Sequence, residues 1–219
     1  MIEACVESLE AALAAERGGA DRLELCANLD VGGTTPDRAL VAEVKSSVAI
    51  PVFVMIRPRA GSFVYTSAER DAMRCEIESA RRLGADGFVL GLLDELRRID
   101  VNGAREVLGD AHGLPVTFHK AFDEIHDQLA ALDALVELGV QRVLTSGGAT
   151  SALAGAEAIK HLVARAGGRI TIMAGGSVRA HNAREVVERS GVRELHARCE
   201  HDPARIATIL AAVGSRSVR

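Results

Sequence analysis

Two thiols and a small set of ionisable side chains carry the chemistry open to this chain. Cys5 and Cys26 each end a short segment in which apolar and polar residues alternate, Ile2-Glu-Ala-Cys5 and Arg22-Leu-Glu-Leu-Cys26. Neighbouring strands lie about 4.8 Å apart, so two such sulfurs could share a soft ion such as Cu(I), which favours thiolates. Alternatively, each cysteine is a small buried hydrophobe. Cys75 and Cys199 show no comparable placement.

Proton transfer has its own candidates. His119 and Asp123 stand in Phe118-His-Lys-Ala-Phe-Asp123. An imidazole titrates near neutral pH and acts as general acid or base when a carboxylate orients it. The other reading is a structural, hydrogen-bonded histidine. His196 makes a similar claim, and Glu24 is a third candidate catalytic group. Arg57 and Arg59, in Arg57-Pro-Arg59, suit an anion, because a guanidinium grips carboxylate or phosphate with two parallel bonds. Ser146-Gly147-Gly148 and Gly175-Gly176-Ser177 are small-residue loops of the kind whose backbone N–H groups receive anions, although glycine serves any tight turn.

These residues need a scaffold, and the sequence repeats one. A helix end, a glycine and a short strand recur in Glu16-Arg-Gly-Gly-Ala-Asp-Arg-Leu-Glu-Leu25, Arg82-Leu-Gly-Ala-Asp-Gly-Phe-Val-Leu90, Glu137-Leu-Gly-Val-Gln-Arg-Val-Leu144 and Arg189-Ser-Gly-Val-Arg-Glu-Leu195. Each is an αβ turn with glycine at the left-handed position past the helix. Between them, strands are entered at 49–55, 113–118 and 168–173, and residues 2–5 add an eighth. The predicted helices are 8–18, 35–46, 67–83, 100–111, 126–138, 152–165, 180–190 and 203–212, the second announced by Thr34-Thr35-Pro36. Strand then helix, eight times, predicts an α/β fold of the (β/α)8 TIM-barrel type, one domain over 1–219. An open doubly wound sheet is the rival. No Gly-x-Gly-x-x-Gly follows the first strand, which argues against that sheet, and no organic cofactor is expected.

Active sites in this barrel gather where strands end. Strand alternation puts Ile2, Ala4, Leu23, Leu25, Val54, Ile56, Leu144 and Leu195 outward, against the helices. The inward set is then Glu3, Cys5, Glu24, Cys26, Met55, Arg57, Thr117, His119, Thr145, Met173, Glu194 and His196. That interior is unusually polar. Glu3, Glu24, Arg57 and Glu194 are expected to form ion pairs, either as scaffolding or as chemistry.

Composition removes other function classes. A net charge of −4, one Tyr and no Trp leave neither a basic stripe nor stacking platforms for nucleic acid. No apolar run approaches the roughly 18 residues of a membrane span. The chain enters a strand at once, with no signal-peptide pattern, so a cytoplasmic location with reduced cysteines is expected.

Several phrases together resemble one family. They are Ala15-Glu-Arg-Gly-Gly-Ala-Asp-Arg-Leu-Glu-Leu-Cys26, Gly32-Gly-Thr-Thr-Pro36, Val54-Met-Ile-Arg-Pro-Arg59, Thr117-Phe-His119 with Ala121-Phe-Asp123, and Leu144-Thr-Ser-Gly147. In this order, over nearly the whole chain, they are similar to the CutC copper-homeostasis family. The resemblance implies a cytoplasmic, oligomeric TIM barrel serving copper tolerance, with Cu(I) held by cysteines that correspond to Cys5 and Cys26. The chain departs from the family at Lys120, where Arg is commoner, at Ala174-Gly-Gly-Ser177, where Pro-Gly-Gly-Gly is usual, and at Ala197-Arg198 after His196, where Gly commonly follows. The expected partners are therefore a copper ion or a small anionic metabolite, and further copies of the chain. The competing expectation is an enzyme that acts on a small phosphorylated or carboxylated metabolite by acid/base chemistry.

Overall fold

The glycine of the repeated turn takes the conformation that its place demands. Gly19, Gly84, Gly139 and Gly191 have φ of 88°, 88°, 76° and 73°, in the left-handed region where a Cβ is penalised. Each turn delivers the chain from a helix on the outside to the start of a strand. The computed structural model describes residues 1–214; positions 215–219 of the expected 1–219 domain lie outside the described residues.

The strands are β1 (Ile2–Val6), β2 (Arg22–Leu25), β3 (Val52–Met55), β4 (Gly87–Leu90), β5 (Val116–Phe118), β6 (Arg142–Thr145), β7 (Thr171–Ala174) and β8 (Glu194–Arg198). The helices that follow them are α1 (Leu9–Arg17), α2 (Arg38–Ser47), α3 (Ser67–Arg82), α4 (Val101–Gly109), α5 (Gln128–Glu137), α6 (Ala156–Ala166), α7 (Ala180–Ser190) and α8 (Pro203–Val213). Every strand pairs in parallel with its sequence neighbours, and β8 closes on β1. The fold is a (β/α)8 barrel, as the alternation predicts.

Side-chain oxygens fix the helix starts. Ser8, Asp37, Thr66, Asp100, Asp127 and Asp202 each accept a backbone N–H of the first turn, satisfying donors that the helix leaves open. The second helix begins later than Thr34-Thr35-Pro36 suggests, with Asp37 as its cap. The Thr35 hydroxyl is already committed, accepting the Arg57 N–H at 2.9 Å and donating to Glu76 at 2.7 Å.

Outward strand residues such as Ile2, Ala4, Leu23, Leu25, Val54 and Ile56 are buried against the helices in the main apolar core. One strand runs in the opposite phase from its expected one. Leu144 faces the barrel interior and Thr145 faces outward, because Val143 is the core residue of β6. Two adjacent apolar residues gave hydropathy no way to set the phase.

Charge fills the closed end of the barrel. Arg22 pairs with Glu3 and, at 3.0 Å, with Glu194, which Arg142 also binds at 2.6 Å. The Phe53 ring packs against both guanidiniums, 4.8 Å from the Arg22 Cζ and 5.7 Å from that of Arg142. The cations of this network are thus Arg22 and Arg142, not the expected Arg57. A glycine on β4 makes the room: a Cβ at Gly87 would stand 2.7 Å from the Phe53 ring.

Candidate functional site at the barrel mouth

Above that floor, at the strand C-termini, lies a cavity of about 480 Å³. Its lining includes Cys5, Glu24, Met55, Arg57, Phe63, His119, Leu144 and His196, with Lys120, Arg179 and Arg198 around it. Five of the sequence-derived candidates, Cys5, Glu24, Arg57, His119 and His196, therefore come to one place, and Gly176 joins them.

Cys5 faces the cavity and Cys26 lies behind it, fully buried, where a Cβ on Gly33 would approach its sulfur to 3.2 Å. The two Sγ atoms are 3.9 Å apart. That is far beyond a disulfide bond of about 2.05 Å and well inside the reach of a shared ion. The contact with Cys26, together with burial, pushes the Cys5 thiol well above its ordinary value. Burial is the main cause that carries Cys26 up to about 11. Both are thiols at neutral pH, so a bound metal must displace their protons.

Glu24 and His196 form the charged pair of the mouth, with Nε2 and Oε2 2.8 Å apart. Burial opposes charge on both, but each holds the other ionised. Glu24 is brought down to about 2 and His196 is raised well above the usual imidazole range. The Cys5 sulfur, a Glu24 oxygen and a His196 nitrogen all lie within 4.8 Å of one another, a spacing that fits a metal ion.

His119 behaves oppositely. Burial, and then the positive charge of Arg57, bring it down to about 4, so it is neutral. Its Nδ1 accepts the Ala121 N–H at 3.2 Å, which leaves the ring proton on Nε2. That atom is buried without a partner, as are Glu24 Oε1 and Arg57 Nε. Gly91 is the reason the ring fits: a Cβ there would stand 2.5 Å from it. A glycine in a strand or at its end marks such a close approach, a signal that Gly87, which opens β4, and Gly91, just past its end, carry in the sequence.

Arg57 is less free than its type suggested. Nη1 donates to the Val31 and Gly33 carbonyls and Nη2 to that of Gly61, and its Cζ lies 4.8 Å from the Phe63 ring centre. It clamps two mouth loops together, and Nε is its unpartnered donor. Glu24 therefore pairs with His196 rather than with Arg57.

The remaining candidates fall elsewhere. Asp123 does not orient His119, because the turn Lys120–Glu124 aims its carboxylate at the loop after β6. There it accepts from the Ser146 N–H, the Gly148 N–H and the Thr145 and Ser146 hydroxyls. Gly147 N–H donates to the Thr145 hydroxyl oxygen. An internal carboxylate thus takes the donors of the loop expected to receive an anion. Gly175 N–H is bonded to the Thr145 carbonyl, within the sheet. Arg59 pairs with Glu69 at 2.5 Å and binds the Ser62 and Val64 carbonyls, which fixes its own loop.

Comparison with known proteins agrees with this architecture. The sequence model of the CutC family matches residues 1–201. The chain is 50% identical over 196 residues to the copper homeostasis protein cutC homolog of Homo sapiens, covering 90% of this chain and 72% of the human one. It is 45% identical over 195 residues to a family protein CutC of Pasteurella multocida, covering 89% and 80%. Among solved structures, CutC from Streptococcus agalactiae superposes with a TM-score of 0.86 at 38% identity, covering 90% of this chain and 97% of that one. Among the described residues no helix is long and apolar enough to cross a membrane.

Proposed function

The chain belongs to the CutC family, and from that premise we propose that it is a cytoplasmic copper-homeostasis protein that takes up and passes on Cu(I) through Cys5 and Cys26. One observation carries this reading: the two sulfurs stand 3.9 Å apart, Cys5 on the wall of an open cavity and Cys26 directly behind it. Donors at about 2.3 Å from a three-coordinate ion are separated by about 4.0 Å, so the thiols need almost no movement to share one. A third position opens towards the cavity, where His196 and Glu24 stand near Cys5. Two thiolates around Cu(I) carry one net negative charge, placed beside the ionised Glu24–His196 pair. The raised thiols fit release as well as capture, because protonation competes with the metal. The test is a titration of the reduced protein with Cu(I) against a competing chelator, repeated with Cys5→Ser/Cys26→Ser. We expect one tightly held ion per chain and its loss in the double variant. Equal affinity and stoichiometry in both proteins would refute the reading.

A second reading has an observation of its own. His119 Nε2 and Arg57 Nε are buried donors without partners at one cavity, a costly arrangement that a ligand oxygen would relieve. The corresponding function is an enzyme that binds a small phosphorylated or carboxylated metabolite, with the Glu24–His196 pair in proton transfer. A thermal-shift screen of such metabolites should then give stabilisation that Arg57→Ala and His119→Ala abolish. A screen without a hit would count against it.

A further inference from the structure

The cargo proposed for the thiol pair is a cation, yet the way to it is lined with positive charge. Arg57, Lys120, Arg179 and Arg198 line the cavity, and the only lining carboxylate among the described residues, Glu24, is engaged with His196. The surplus is local, because the whole chain carries a formal charge of −4. Lys120 and Arg198 have carboxylate partners in Asp123 and Glu7. Among the described residues, the Arg57 and Arg179 side chains hydrogen-bond only to backbone carbonyls.

A field of this sign slows an aquated cation and speeds an anion. We propose, on the Cu(I) reading above, that copper reaches this mouth as an anionic complex with a small carboxylate-bearing thiol, drawn in by Arg57, Lys120, Arg179 and Arg198. Size agrees with charge. A volume of about 480 Å³ is that of a small-molecule site, with room for such a ligand. The unpartnered Nε–H of Arg57 and Nε2–H of His119 are donors for the carrier's carboxylates.

Transfer is then ligand exchange. Cys5, on the cavity wall, attacks first: its Sγ–Cu bond forms as one carrier S–Cu bond breaks, and the Cys5 proton leaves on the departing thiolate, which is released as thiol. Cys26, 3.9 Å behind, repeats the step and displaces the second carrier. Copper remains Cu(I) throughout, no electron is transferred, and the two-sulfur complex keeps its charge.

The experiment follows Cu(I) uptake by the full-length reduced chain from two sources, the glutathione complex, an anion, and the acetonitrile complex, a cation. Salt is varied from about 0.01 M to about 1 M, which shortens the Debye length from roughly 30 Å to 3 Å. Uptake from glutathione should slow as salt rises, and at low salt it should slow roughly fivefold or more in Lys120→Gln/Arg179→Gln. Arg82→Gln, an exposed change on α3 away from the mouth, should leave it unchanged. Uptake from the acetonitrile complex should show no such slowing. Loading from both sources at rates indifferent to salt and to the double substitution overturns the anionic carrier and leaves copper binding standing. No loading from either source overturns the Cu(I) reading itself. The wild-type salt dependence decides the matter even if the double variant does not fold.

Discussion

The two ends of the barrel interior treat buried charge differently. At the floor, Arg22 and Arg142 enclose Glu3 and Glu194 in a continuous network sealed by the Phe53 ring. At the mouth, Glu24, Arg57 and His119 each keep an unpartnered polar atom, and a neutral and a charged imidazole share one cavity. Glu3 joins the two layers: its Oε2 belongs to the floor network, while its Oε1, buried without a hydrogen-bond partner among the described residues, lies 4.0 Å from His196 Nε2 on the mouth side. Paired charge holds strands in register, whereas unpaired polar atoms cost stability unless a ligand completes them. The floor is therefore scaffold, and the mouth is where binding energy is kept available.

The contrast can be broken most forcefully at the floor. Arg22→Met leaves Glu3 and Glu194 short of a cation, and removing one member of such a buried pair costs about 3–5 kcal/mol. Denaturant unfolding should show a loss of that size, and a loss under about 1 kcal/mol would remove the distinction.

The next effect is on pH dependence. His119, lowered to about 4 from 6.5, takes up a proton in the unfolded chain that the folded chain refuses, so stability falls as pH drops through that window. Glu24, lowered to about 2 from 4.5, contributes stability above 4.5 that is lost as pH falls towards 2. His196, raised above 6.5, contributes stability that is fully present below 6.5 and lost as pH rises through its folded value. Together these three groups place a stability optimum near 6.5. Glu24→Gln removes the carboxylate that raises His196, so urea midpoints should lose the part of the decline that begins just above pH 6.5, while the decline above about pH 8.5 caused by the raised Cys5 and Cys26 thiols remains. An unchanged profile would show that the pair does not control the mouth.

The smallest effect on folding is expected from His119→Asn. Asparagine keeps an acceptor for the Ala121 N–H but withdraws the ring from the cavity. Stability should change by no more than about 1 kcal/mol. A loss approaching that of Arg22→Met would make the mouth as structural as the floor.

The fold could be read from the sequence because its signals are local. The glycine turns at Gly19, Gly84, Gly139 and Gly191 and the alternation in β1 and β2 act within a few residues. The location of the site followed, since Cys5, Glu24, Arg57, His119 and His196 all end or adjoin strands. Partnerships did not follow. Glu24 and His196 are 172 residues apart and belong to strands on either side of β1. Arg22 and Arg142 each open a strand directly after a turn, where a charged residue reads as a solvated flank. Parity with Glu24 is the available clue for Arg22; Arg142 has none, because hydropathy leaves the phase of β6 open and Arg142 turns with Leu144. The spacing of Asp123 from His119 says nothing of the short helical turn that carries its carboxylate away.

Copper K-edge X-ray absorption on the reduced protein loaded with one equivalent of Cu(I) tests the central claim most directly. The account predicts two sulfur scatterers at about 2.3 Å, reduced in number by either Cys5→Ser or Cys26→Ser. A first shell of nitrogen and oxygen alone, or one that both substitutions leave unchanged, would contradict it.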